Sequence, residues 1–414
     1  MNPSFFVTSY VSIKKFIEKH LLSILFLGLL LNSSININKN LFYVRGILID
    51  YLIPRIYLNY FLYFFILAPF FIPLLKKYYK VLFYIFVFVF INILFSENVL
   101  YSLSFVSRRF IYIFLFLLLF YIKPKKISLN FIFILNFLYI FVFIIQFFSR
   151  SSVFPFFPFG FYPYKGVIAN IDYIGYFGNK WPVPLGNFPH PNLFAAFLGF
   201  INIFYIKKIS SSNFKKNWNR TYTLSVIIFF INILLALFLG SITGLLFSIV
   251  ILIYFFRRYI TLQYLYYLIF IVLFFVLIFI FDFSIAFKKI SIISRIQQYQ
   301  ISFFILKKFP LFGVGVGNFI SSIPLYESFK GRVFKLQPVH NIFLLYMSEF
   351  GLFGLSPIFI FYKKVKKYLR ITPYSIYIIL FGLLDHFLYT LNQGLLLLML
   401  TIYLHIFIID SNEN

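Results

Sequence analysis

The stretch LNFIFILNFLYIFVFIIQFF, Leu129 to Phe148, runs for twenty residues without a charge. As a helix it would be about 30 Å long, the thickness of a bilayer's hydrocarbon core. Lys123, Lys125 and Lys126 precede it and Arg150 follows it, so charge stops where the apolar run begins and returns where it ends. A run bounded in this way reads as a membrane-spanning helix. Applied outward from it, the same reading places spans near 20–36, 57–75, 79–96, 104–122, 191–206 and 221–239, then near 242–256, 260–281, 341–362, 374–389 and 391–409. With 129–148 these make twelve.

The whole composition agrees with that layout. Of 414 residues, 62% are hydrophobic and 11% charged, mean hydropathy is +0.95 and Phe alone fills 67 positions. A water-exposed surface cannot be assembled from such a chain, which excludes a soluble enzyme. The predicted fold is all-α: a polytopic bundle of about twelve spans forming a single integral membrane domain over 1–414. No small-residue cleavage site follows the first apolar run, so that run is expected to stay as the first span.

Net charge is +27, from 37 Lys and Arg against 10 Asp and Glu. In a soluble protein this would suggest nucleic acid; here it fits the basic residues that flank spans and fix orientation, and no nucleic-acid partner is expected. With twelve spans and the N-terminus inside, cytoplasmic segments hold 21 of the 37 basic residues and the outside holds 16, eight of them in one long loop. Short loops therefore contrast 21 against 8, which predicts N-in and C-in. Zero Cys removes disulfides, thiolate metal sites and a Cys nucleophile.

Two outside loops are long, 149–190 and 282–340, and long loops carry function. The second contains Ile293 to Lys308, where Ile296, Tyr299, Phe303, Phe304 and Leu306 beside Arg295, Gln297, Gln298 and Gln300 predict an amphipathic helix lying on the membrane surface.

Ionisable residues near the membrane are few, and each is a functional candidate. His340 opens span ten in PVHNIFLLYMSEFGLFGL, Pro338 to Leu355, as either a proton-accepting base or an interfacial cap beside Asn341. Glu349, nine residues on, falls on nearly the opposite helix face and is expected to touch a neighbouring helix. Asp385 and His386 in LLDHFLYTLNQG, Leu383 to Gly394, point about 100° apart on a continuous helix, so they share a site only if the helix breaks there. Arg295 could grip a diphosphate or a lipid headgroup; Arg108 and Arg109, opening span four, could anchor to headgroups or form a second diphosphate clamp.

KKFPLFGVGVGNF, Lys307 to Phe319, lacks the strand and helix of a dinucleotide loop, so its glycines are read as sharp turns or close backbone approaches. GNFPHPNLFAAFL, Gly186 to Leu198, leads into span six, with Pro191 and Asn192 suited to its first turn and His190 just outside. No His cluster stands at metal-ligand spacing, so neither metal nor cofactor is expected.

In order and spacing, GNFPHPNLFAAFL, Ser294 to Gln300 with PLFGVGVGNF, and PVHNIFLLYMSEFGLFGL resemble the bacterial O-antigen ligase and O-antigen polymerase family of membrane glycosyltransferases. The resemblance covers most of the chain from about residue 50. It implies metal-independent, inverting transfer of a glycan from a polyprenyl (undecaprenyl) diphosphate carrier to a lipid, glycan or protein hydroxyl. The work would be done on the extracytoplasmic face of the bacterial cytoplasmic (inner) membrane, in lipopolysaccharide or other cell-surface polysaccharide synthesis. By that resemblance His340 matches the family's essential histidine and Arg295 its diphosphate-binding arginine, with Arg108 and Arg109 as further donor contacts. Asn341, Glu349, Asp385, His386, His190 and Asn192 are candidates for the site wall. One departure stands out. The family often has Ser-Arg where this chain has Ser241-Ile242, so Arg108 or Arg109 would have to substitute or activity would be altered.

Other classes remain in view. A transporter or flippase for the same lipid-linked glycan would show paired broken helices and polar groups at mid-membrane, whereas a non-catalytic scaffold would tolerate the missing arginine. The clustering of candidates toward the outer face favours catalysis.

Overall fold

The computed structural model describes residues 3–37, 41–44, 47–49, 51–124, 127–149, 173–176, 179–182, 185–211, 220–256, 285–325 and 336–411. Helix dominates. In chain order come α1 (Pro3–Leu27), α2 (Leu58–Leu67), α3 (Phe71–Leu94), α4 (Val99–Ile122), α5 (Leu129–Ser149), α6 (Pro191–Ser211), α7 (Arg220–Phe238) and α8 (Ile242–Phe256). They are followed by α9 (Ile285–Lys308), α10 (Phe319–Ser322), α11 (Ile342–Phe350), α12 (Ser356–Val365), α13 (Pro373–Leu384), α14 (Phe387–Thr390) and α15 (Asn392–Ser411). Short antiparallel ladders join Ser34–Asn36 to Arg55–Tyr57, Tyr43–Val44 to Ile47–Leu48 and Tyr173–Tyr176 to Asn179–Pro182.

Among the described residues six helical runs are long and apolar enough to cross a membrane: Leu58–Leu94, Val99–Ile122, Leu129–Ser149, Pro191–Ile209, Arg220–Phe238 and Asn392–Ile409. Three shorter apolar helices add to them, Thr243–Phe255, Ile342–Leu355 and Pro373–Leu384. The predicted span 260–281 lies outside the described residues.

Several predicted windows are redrawn. The first, 20–36, is instead the end of α1, because the chain leaves the helix after Leu27 and Ser34–Asn36 pairs as a strand. The windows 57–75 and 79–96 form one run, tightened to a 3-10 turn at Ala68–Phe70, where Pro69 cannot donate, and bent at Tyr78 beside Lys76, Lys77 and Lys80. The window 341–362 turns at Gly351, and 374–389 stops at Leu384.

The core centres on α6, whose residues 193–203 are all buried. Outer helices carry their phenylalanines outward: Phe64 and Phe65 on α2, Phe83 and Phe86 on α3, Phe137 and Phe141 on α5 are exposed, as a lipid-facing surface requires. Inside, polar side chains tie helices together. Asn136 of α5 donates to Tyr205 of α6 (3.2 Å) and to Asn232 of α7 (3.1 Å), and Asn232 donates to Asn202 of α6 (2.8 Å). Buried amide and hydroxyl groups of this kind tie apolar helices to one another. At the head of α6, Asn187 donates to the carbonyls of Leu29 and Leu30 and accepts from Tyr139, which fixes the GNFPHPN segment against α1 and α5.

Helix α9 extends further back than predicted. Its Gln298, Ile301, Ser302 and Ile305 form a buried stripe at helical spacing, while Ile296 and Phe303 are exposed. It packs against α11 through the inward stripe, so the helix is a structural wall as well as a surface element.

Candidate active site

Beyond α9 the glycines act as the sequence suggests. Gly313, Gly315 and Gly317 have φ of 66°, 92° and 78°, the left-handed region open to glycine. The turns they form lie against the end of α11: Val314 N–H donates to Ser348 O and Gly315 N–H to Glu349 O, both at 3.0 Å. Asn92, buried in α3, closes the arrangement by accepting from Val316 N–H (2.7 Å) and donating to Glu349 O (3.2 Å). A Cβ on Gly313 would stand 2.5 Å from Ser348 O. Gly313→Ala therefore combines a left-handed φ with a clash against rigid backbone, and the purified protein is expected to lose at least ~2 kcal/mol, read as a clear fall in Tm. An unchanged Tm would contradict that packing.

This buttress holds the end of α11; its start, beside His340, is held separately. Asn341 is the helix N-cap: its side chain accepts from Leu344 N–H at 3.0 Å. That bond holds the turn that presents His340. His340 itself is held through its backbone, its N–H donating to Gln298 Oε1 (3.4 Å) and its carbonyl accepting from Tyr299 (3.5 Å).

Opposite stands the break between α13 and α14. Asp385 takes extended angles (φ −155°, ψ 168°) as the C-cap of α13, and α14 starts only at Phe387. The break lets two adjacent side chains serve one site, the condition the sequence left open. His340 Nδ1 lies 3.4 Å from Asp385 Oδ1, and the His340 and His386 rings are 5.0 Å apart. Asp385 is oriented by Asn192 Nδ2 on Oδ2 (2.8 Å) and by His386 N–H on Oδ1 (2.7 Å); His386 Nδ1 pairs with Thr390 Oγ1 at 2.8 Å. His190 stacks on Phe387 (4.1 Å) and accepts from Asn192 N–H, bringing the end of the first long loop to the same place. Arg295 Nη1 reaches the Leu384 carbonyl at 3.4 Å, one residue from the carboxylate.

Asp385 and His386 sit in the break, outside the helices on either side of it. Burial alone would raise the Asp385 carboxyl, but His340 beside it, with His386 and His190, outweighs burial and holds it well below the usual carboxylate range. Burial first, then the charge of His340, holds His386 well below the usual imidazole range, leaving its ring neutral. His340 is 14% exposed at its side chain and Asp385 4%, so the imidazole faces whatever enters and the carboxylate stands behind it.

The other candidates are placed differently. Arg108 donates to the carbonyls of Tyr51 (2.8 Å), Ile53 (3.2 Å) and Ser104 (3.3 Å), and Tyr51 in turn stands edge-on to His386. Arg109 lies over the Phe105 ring and donates to the carbonyls of Phe105 (2.8 Å), Tyr389 (2.9 Å) and Thr390 (3.4 Å). Both guanidinium groups thus hold backbone, Arg109 the end of α14, where a diphosphate clamp was the alternative to anchoring. Glu349 does turn to a neighbour: its Oε2 accepts from the Tyr389 hydroxyl at 3.0 Å, linking α11 to α14. Ser241, before Ile242, accepts from Gly244 N–H and caps α8.

Three groups with metal-ligand atoms do meet in the fold, although they do not stand at ligand spacing in the sequence. One ligand atom each from His340, Asp385 and His386 lie within 4.8 Å of one another. Sequence spacing misses the group because its members stand 45 residues apart and meet only through the helix break. Tyr389, Thr390 and Asn92 were also missed; their only signal was a polar atom inside an apolar window.

A histidine backed by a carboxylate, with an arginine beside them, has the chemistry to serve as a base with its orienter and a cation for a leaving anion. Residues 224–359 match the family model for O-antigen ligase. The match supports the O-antigen ligase family, as the resemblance implied, over a segment that contains Arg295, the glycine loop, His340 and Glu349. Asp385 and His386 lie beyond that O-antigen ligase segment and join it only in three dimensions. No curated protein matches the chain. The long apolar helices among the described residues mark a membrane protein, and its residues 224–359 are similar to O-antigen ligase.

Proposed function

We propose that the protein is a metal-independent, inverting glycosyltransferase that moves a glycan from a polyprenyl diphosphate to a hydroxyl acceptor. In this reading the site opens on the extracytoplasmic face of the bacterial inner membrane, with both termini inside. The observation that carries it is the approach of His340 Nδ1 to Asp385 Oδ1 at 3.4 Å, with Arg295 bonded one residue away.

Asp385 favours the tautomer with the proton on Nδ1, leaving the Nε2 lone pair of His340 for the acceptor hydroxyl. As that oxygen attacks the anomeric carbon, its proton passes to Nε2 and the bond from carbon to the diphosphate oxygen breaks. Arg295 meets the charge that develops on the departing diphosphate. A single displacement inverts the anomeric centre. His340 is the catalytic residue, while Asp385, Asn192 and Arg109 are positioning residues. Arg108 and Arg109 are already engaged with carbonyls, so the diphosphate is assigned to Arg295.

Purified protein reconstituted with one polyprenyl-diphosphate oligosaccharide tests the reading. A ladder growing from donor alone means O-antigen polymerase activity; transfer that needs an added acceptor means ligase activity, and we expect the latter. EDTA should leave the rate unchanged, and loss of rate restored by Mg2+ would overturn the metal-independent mechanism. Two broken helices, at Gly351 and at Asp385, favour a second reading, transport of the lipid-linked glycan. Movement of labelled donor across the bilayer without transfer would establish it instead.

A further inference from the structure

We propose that His340, Asp385 and His386 also form a Zn2+ site, and that zinc bound there blocks transfer. The inference rests on the reading of His340 as the base. Zinc at bonds of about 2.0–2.1 Å in a tetrahedron holds its ligand atoms about 3.4 Å apart. The separation of His340 Nδ1 from Asp385 Oδ1 is 3.4 Å. Among the described residues that buried nitrogen has no hydrogen-bond partner, although the carboxylate stands beside it. An imidazole nitrogen and a carboxylate oxygen at this distance, without the alignment of a hydrogen bond, are spaced as two ligands of one ion.

The third ligand comes from His386. Its Nδ1 pairs with Thr390 Oγ1 at 2.8 Å, and when Nδ1 carries the proton in that bond, Nε2 keeps a lone pair for a metal. Asp385 has the outer partners of a metal-bound carboxylate, Asn192 on Oδ2 and the His386 N–H on Oδ1. The ligand atoms span up to 4.8 Å, so one side chain must close by about 1 Å or a little more to complete the tetrahedron. Two imidazoles and one carboxylate leave the fourth position to water. Borderline-soft N and O donors favour zinc over Mg2+ or Ca2+. A zinc ion on Nδ1 replaces the proton that Asp385 would orient and also takes the carboxylate, so the base loses its orienter while the acceptor's path narrows.

The test is isothermal titration of ZnCl2 into the full-length, EDTA-treated protein in detergent, alongside transfer assays with and without zinc. We expect one zinc per chain, weakened at least about tenfold in Asp385→Asn and in His386→Ala and unchanged in His20→Ala, a histidine outside the cluster. Transfer should fall on adding zinc and return with EDTA. A wild-type protein that binds no zinc, or binds it equally well in both cluster variants, overturns the site. Transfer that continues undiminished with zinc bound, or rises, overturns the block. Binding that depends on the cluster in a protein that transfers nothing under any condition defeats the glycosyltransferase reading while leaving the metal site standing.

Discussion

His340→Ala should lower glycan transfer by about 10²- to 10⁴-fold, the usual contribution of a positioned general base, while leaving membrane insertion and the turn before α11 intact. The separation of the two effects follows from how the residue is held. Its structural bonds run through its backbone to Gln298 and Tyr299, and its side-chain Nδ1 makes no hydrogen bond. Truncation at Cβ therefore removes the imidazole and leaves the turn and the Asn341 cap in place. Reconstituted vesicles with a fixed donor and acceptor give the rate, and a variant that keeps its activity would remove His340 as the base.

The second large effect is expected at Arg295. Arg295→Ala should reduce kcat/KM for the donor by about 10²- to 10³-fold, the scale of losing one charged or hydrogen-bonding group at a developing anion. Arg295→Lys should recover much of this, because the charge survives although the paired geometry of the guanidinium does not. The single 3.4 Å bond to Leu384 O is too slight to make the side chain chiefly a structural strut. If Ala and Lys prove equally damaging, its role is packing against the helix break. Varying donor at saturating acceptor separates the two arginine variants from His340→Ala, whose loss should fall on kcat.

How much of this was legible in the sequence depends on range. Several long apolar helices were, since a bilayer imposes length and apolarity on each helix independently, as in Leu129–Ser149. The glycine turns were legible for a similar reason, because left-handed backbone and close approach leave few other residue choices. The stop at Leu384 was not. LLDHFLYT contains no glycine or proline, and its periodicity runs on; the break is held from outside, by Asn192 on Asp385 and by Arg109 on the carbonyls of Tyr389 and Thr390. The same distant contacts explain why Arg108 and Arg109 were open to two readings. A basic pair at a helix start looks alike whether its partners are phosphates or carbonyls, and only the folded chain shows Tyr51, Ile53, Tyr389 and Thr390 beside them. Glu349 was readable in direction but not in partner, since Tyr389 lies 40 residues away.

The helix break also bears on how the protein is made. The matched segment ends at residue 359, and a chain emerging from the ribosome as far as Arg370 already carries Arg295, the glycine loop and His340. It still lacks its carboxylate. Asp385 arrives with α13, which docks on α6 through Tyr377 on the Ala196 carbonyl, and the pose is locked when α14 reaches Arg109 on α4. The cluster therefore forms only when α13 and α14 have packed beside α11, so its assembly depends on the docking of separate helices and cannot be completed within the matched segment alone.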